Sequence, residues 1–128
     1  MFSKILRLAI ALAVFGSVFL TGMSSAGTRA ETKVTIRRQG TEPFGTVQSP
    51  RPGRCADGRR VVVYKQLGPD QDPQNDQRVG SDTAELQGDV AEWNIGQPGV
   101  YGRMYARAPR TPDCRADSSR TIRIPRPT

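Results

Sequence analysis

Two kinds of hydrophobic pattern divide this chain of 128 residues. Leu8 to Leu20 is a nearly continuous apolar run. Beyond residue 32 the apolar residues come instead in short segments with a period close to two, the signature of strands with one buried face. Seven segments stand out. Lys33–Arg38 sets Val34 and Ile36 on one face and Thr35 and Arg37 on the other. Phe44–Ser49 is apolar at Phe44 and Val47, which is irregular alternation. Arg60–Gln66 holds a β-branched run, Val61-Val62-Val63, that reads as a central strand covered on both sides. Arg78–Thr83 has Val79 as its apolar anchor. Asp89–Ile95 places Ala91, Trp93 and Ile95 together, with Trp93 the expected centre of the core. Val100–Ala108 and Arg120–Pro125 alternate cleanly.

The connectors carry turn chemistry. Ser49-Pro50-Arg51-Pro52-Gly53 contains two prolines that lack a backbone donor and so cannot continue a strand. Asp57-Gly58 and Gln97-Pro98-Gly99 mark tight turns, and Leu67 to Gln77 forms a longer polar loop. Short strands with turn signals between them predict an all-β sandwich or barrel. The expected domain spans residues 33–126, behind a mobile leader at 27–32.

The first run reads differently. Lys4 and Arg7 precede it, and small residues follow at Ser24 and Ala26. This three-part layout predicts a signal peptide over residues 1–26. The apolar run falls short of the roughly 20 residues a membrane span needs. The expected location is therefore secreted, extracellular or cell-envelope, with no membrane span after cleavage. Cys55 and Cys114 are the only cysteines, and in an oxidising compartment they are expected to form a disulfide. With no histidine in the chain, a zinc site lacks its usual ligands.

Charge narrows the partners. Cleavage after Ala26 removes Lys4 and Arg7, which leaves 17 basic against 12 acidic residues, or +5. The region Arg103–Arg126 concentrates arginines against only Asp113 and Asp117. Such an end favours anionic partners, although a net charge of this size also serves solubility alone.

The chain from about Gly53 to Ile124 resembles small secreted domains of the transthyretin-like, carboxypeptidase-regulatory-like class. Three pieces carry the resemblance: Gly58-Arg59-Arg60-Val61-Val62-Val63-Tyr64-Lys65, Val79 to Thr83 ahead of the tryptophan segment, and Pro98 to Arg107. The turn after Thr83 reads Ala-Glu-Leu-Gln-Gly-Asp, where the class often has a short D-x-x-G turn. The cysteine pair is similar to that of secreted bacterial proteins of unknown function. The resemblance implies a single seven-stranded Greek-key sandwich, transthyretin-like or immunoglobulin-like in build. It implies no particular activity.

Candidate chemistry is sparse. Without histidine, and with both cysteines expected in a disulfide, the usual bases and nucleophiles are missing, so no enzyme and no cofactor is expected. Carboxylate pairs such as Asp82 with Glu85, or Asp89 with Glu92, have no shared cleft that the sequence reveals. Asp70, Asp72, Asn75 and Asp76 crowd one loop and offer oxygen ligands for calcium, but an EF-hand's glycine and closing glutamate are absent. Tyr101, Arg103, Tyr105 and Arg107 fall on one face of their segment. That stripe can stack on sugars or bases and hold phosphates. Alternatively it is a self-satisfied solvent face, or its tyrosines lie in the core. The expected function is a non-catalytic binding module for an anionic envelope polymer or other extracellular partner, with no specific nucleic acid. The alternatives are an inhibitor-like domain that binds an extracellular protein through loops 67–77 and 108–118, or a calcium-binding module.

Overall fold

The computed structural model describes residues 28–128, so the signal-peptide expectation lies outside the described residues. These residues form ten strands and one helical turn. The strands are β1 (Lys33–Val34), β2 (Arg37–Gln39), β3 (Glu42–Gln48), β4 (Arg60–Lys65), β5 (Gln77–Thr83), β6 (Glu85–Gln87), β7 (Val90–Asn94), β8 (Gly102–Ala108), β9 (Asp117–Ser118) and β10 (Ile122–Ile124). The turn α1 (Pro52–Cys55) follows the proline-rich connector. Each of the seven predicted segments overlaps a strand.

The strands make two antiparallel sheets. Sheet I has the order β1-β3-β7-β6, with β2 also on β3. Sheet II has the order β10-β8-β4-β5, with β9 also on β8. β1 and β2 keep one register against β3, with Val34 opposite Val47 and Gln39 opposite Glu42. Gly40-Thr41 closes this hairpin. Gly40 has φ 61° and, among the described residues, only glycines take a positive φ, so the turn is of type II′. β5 runs into β6 through Ala84, where the chain passes from sheet II to sheet I. The Ala84 N–H donates to the Arg59 carbonyl and the Gly58 N–H to the Ala84 carbonyl, both at 2.8 Å.

One core fills the space between the sheets. Val34, Ile36, Val47, Ala91 and Trp93 enter it from sheet I, and Val61, Val63, Met104, Ala106 and Ile124 from sheet II. Each fully buried valine or isoleucine stabilises the fold by about 1.5–3 kcal/mol before entropy is counted. The irregular alternation of Phe44–Ser49 resolves here, because Pro43, Gly45 and Val47 are the buried set and Phe44 points outward. Gly45 is a packing requirement. A Cβ there would overlap the Thr35 carbonyl and approach Cζ2 of Trp93 to 2.9 Å. Val61, Val62 and Val63 are all buried, as a strand covered on both sides requires.

A disulfide joins Cys55 to Cys114, with Cα atoms 5.6 Å apart and a sequence separation of 59. Both cysteines are buried. Closing a loop of this length stabilises the fold by about 4 kcal/mol in the chain-entropy model. Of the segment expected as a mobile leader, Ala30 and Thr32 are docked beside it. The Ala30 N–H donates to the Asp113 carbonyl at 2.9 Å, and the Arg115 N–H to the Ala30 carbonyl at 2.8 Å. Thr32 Oγ1 accepts from Arg59. These bonds follow from the bridge, which presents residues 113–115 as an edge for residue 30 to pair with.

Candidate anion-binding face

Strand alternation sorts β8 as its sequence suggests. Met104, Ala106 and Ala108 face the core, while Arg103, Tyr105 and Arg107 face outward from sheet II. The outward residues have different fates. Tyr105 is 0% exposed although it lies on the outer face. Its ring stacks on Tyr64 of β4 at 5.4 Å between centroids. Its hydroxyl donates to Asp76 Oδ2 at 2.6 Å. Tyr101, just before β8, is half-buried under the Arg126 guanidinium, 5.8 Å from its ring centroid. Arg103 is exposed and Arg107 half-buried. The tyrosines are therefore covered by the protein itself, and Arg103 is the most exposed side chain of the stripe.

The loop at 67–77 buries Tyr105. Asp76 Oδ1 accepts from the Leu67 N–H at 3.0 Å, and Oδ2 from the Asp72 N–H at 2.7 Å. Gln71 Nε2 donates to the Ser119 carbonyl and to Thr121 Oγ1. Thr121 in turn donates to Gln66 Oε1. Partial burial pushes the Asp76 carboxyl up. The bonds from Tyr105, Leu67 and Asp72, with the Arg103 charge, outweigh that and hold it below the ordinary carboxylate value. Burial, then the bond to Asp76 and its charge, push the Tyr105 hydroxyl well above its usual value.

The same bonds occupy the loop's oxygen donors. Asp72 Oδ2 accepts from Asn75 Nδ2 at 2.7 Å. Asp70 is exposed at the loop's tip. Among the described residues no three histidine, cysteine or acidic side chains gather in a way that would hold a metal ion.

Register assembles a wider basic surface than one strand carries. Arg123 of β10 lies directly opposite Arg103. Arg107 is opposite Ser118 on one side and Val62 on the other. Tyr105 is opposite Tyr64, which is opposite Arg78 of β5. Arg78, Arg103, Arg107 and Arg123 thus share the outer face of sheet II, with Arg60 at the end nearest the disulfide. Arg103 donates to the Gly68 carbonyl at 2.8 Å and Arg107 to Ser118 Oγ at 2.8 Å, so both reach neutral acceptors. Among the described residues the only ion pair is Arg54 with Asp113, at 3.4 Å. Arg78 escaped the sequence reading, and Arg123 entered it as an outward residue of the basic C-terminal end, not as a neighbour of Arg103. Alternation makes each an outward residue, but only strand pairing shows that they sit beside Arg103 and Tyr64.

The candidate carboxylate pairs separate differently. Asp82 is taken up by the backbone, accepting from the Thr83 and Asn94 N–H groups at 2.8 Å each. It lines a cleft of about 390 Å³ with Glu85 and Glu92. Asp89 does not line that cleft and sits exposed in the turn between β6 and β7.

No family model, curated protein or solved structure matches this chain.

Proposed function

We propose that this protein is an exported, non-catalytic binding domain that docks an anionic envelope polymer on the outer face of sheet II. One observation carries the reading: four arginines, Arg78, Arg103, Arg107 and Arg123, share that face, and among the described residues none has a carboxylate within 4.0 Å. Guanidinium groups present planar forks that match phosphate and carboxylate oxygens. Directly opposed like charges, as at Arg103 and Arg123, cost stability in an isolated sheet, and an anion lying across them would relieve that cost. The buried disulfide supports an oxidising compartment.

The strand order also supports a finer assignment of the fold. With β1/β2, β5/β6 and β9/β10 each taken as one interrupted strand, the chain makes seven. Their two-sheet order then matches the immunoglobulin-type Greek key, with the fourth strand shared between sheets. The likeness to transthyretin-like domains rests on the sequence segments alone.

Co-sedimentation of the purified, oxidised protein with envelope fractions of its source cells tests the function. Salt-reversible binding that weakens in Arg103→Gln/Arg107→Gln supports it. Absence of binding at both low and high salt sinks it. A protein partner is the second reading, favoured by Leu67, which is 60% exposed on the covering loop. Capture by a protein with little salt dependence would favour that reading instead.

A further inference from the structure

Arg59 is buried, with 4% exposure, and no acid compensates it. Its Nη1 donates to the Cys55 carbonyl at 3.0 Å and to Thr32 Oγ1 at 2.9 Å. Its Nη2 donates to the carbonyls of Pro109 at 2.8 Å and Arg115 at 2.7 Å. Nε has no partner. All four acceptors are neutral. Desolvation lowers the Arg59 pKa from its ordinary value. An arginine nevertheless stays protonated at neutral pH. A whole positive charge is thus held out of water, and carbonyl dipoles offset only part of the cost.

Arg59 lines a cleft of about 480 Å³ at the disulfide end. Arg54 and residues 57–60 form one wall and residues 109–114 the other. The first wall brings Arg54 and Arg60, the second Arg110. Both acids of the lining are engaged. Asp113 pairs with Arg54, and Asp57 accepts from the Leu86 N–H at 3.1 Å. Arg60 and Arg110 are exposed and, among the described residues, have no carboxylate within 4.0 Å. Four cations against two acids leave the lining two positive charges in excess.

We propose that this cleft is a site for a phosphate dianion, gripped by Arg60 and Arg110 from opposite walls above the buried charge of Arg59. Arg59 acts as a positioning residue. Its bonds to Cys55, Pro109 and Arg115 fix the two walls at a set spacing, and its charge adds to the field in the cleft. The disulfide holds the same spacing covalently. A free phosphate ion and a terminal phosphate monoester present the same three oxygens, so the site accepts either by the same chemistry. The site does not depend on envelope binding by the face of sheet II, with which it shares only Arg60 at the margin.

The test titrates inorganic phosphate into the purified, oxidised protein at neutral pH and fixed ionic strength, with chloride as the reference. Calorimetry and the melting temperature provide the readouts. The expected result is saturable binding at one site that chloride does not reproduce. Arg110→Gln and Arg60→Gln should each weaken it at least about tenfold, the equivalent of one charge-assisted hydrogen bond. Arg103→Gln/Arg107→Gln should leave it unchanged. Phenyl phosphate binding as tightly as phosphate would identify a monoester end group as the natural occupant. Much weaker binding of phenyl phosphate would identify the free ion. Phosphate acting no differently from chloride overturns the proposal, as does binding indifferent to both Arg60→Gln and Arg110→Gln. Loss of envelope binding with phosphate binding retained would remove the broader reading and leave this one standing.

Discussion

The two sheets bury similar side chains and show solvent different ones. On the outer face of sheet I the charges are mixed. Glu85 lies directly opposite Glu92, but Arg37 lines the same cleft, and Arg37 also covers the Phe44 ring at 5.4 Å. Thr35 and Thr46 bond to each other across the hairpin at 2.6 Å. On sheet II, Arg103 lies opposite Arg123 in a field of one sign, with Asp76 the acid whose charge reaches Arg103. Both sheets therefore contain a like-charge pair in direct register. The sheet I pair shares its cleft with Asp82 and the single cation Arg37, whereas the sheet II pair lies on a face that also carries Arg78 and Arg107. Charge asymmetry in this domain is a property of strand register as much as of composition. On the proposed reading, sheet II is the side where an anionic partner would dock.

The comparison breaks most visibly from the inside. Gly45→Ala on sheet I puts a Cβ into the Thr35 backbone and should destabilise by about 3 kcal/mol. Gly80→Ala on sheet II meets only the Ile95 side chain, nearest at Cδ1, 3.3 Å away, and should change stability by less than about 1 kcal/mol. Urea denaturation of the two variants measures the difference. Equal losses would show that both sheets meet the core with the same tolerance.

A smaller effect separates the covered outer face from the bare one. Tyr105→Phe removes the bond to the Asp76 carboxylate and should cost about 2 kcal/mol. Proteolysis within residues 67–77 should quicken with it. On sheet I, Thr46→Val removes a hydroxyl pair at a half-buried position and should cost about 1 kcal/mol or less. A Tyr105→Phe variant with unchanged loop proteolysis would mean that the other bonds alone hold the loop.

Acidity acts on the same covering loop. The folded Asp76 pKa is depressed, so the unfolded chain takes up its proton first as the pH falls. Its contribution is complete above the ordinary aspartate value near 4 and is lost below it. Tyr105 has the opposite sense. Its folded pKa is raised, so its contribution is intact below the ordinary tyrosine value near 10 and is lost as the pH rises beyond it. Melting temperature against pH should therefore be flatter in acid for Asp76→Asn and flatter in alkali for Tyr105→Phe. Curves parallel to the parent's at both ends would show that the pair does not control these slopes.

The finest comparison exchanges one charge on each sheet. Arg123→Glu and Glu92→Lys each turn a like-charge pair into an opposite one, and each should stabilise by about 0.5 kcal/mol. Only Arg123→Glu should also weaken salt-reversible envelope binding. If both weaken it equally, the partner is not confined to sheet II.

Much of the framework was legible in the sequence. Alternation located Val34 and Ile36, Ala91 and Trp93, and Met104 and Ala106 on their buried faces, because side-chain direction in a strand follows from two neighbouring residues. Two cysteines and no third left one pairing. The tertiary structure decided what alternation cannot reach. The same rule that turns Tyr105 outward cannot say that residues 67–77 fold back over it, since that contact depends on Asp76, 29 residues away in the chain. Nor can it place Arg123 opposite Arg103, which depends on the register of β10 against β8. Arg59 is the plainest case. In sequence it is one arginine among many, and only the closing of the walls around the disulfide takes it out of water. Local periodicity sets which way a side chain points, whereas burial and charge environment are set by segments that meet from far along the chain.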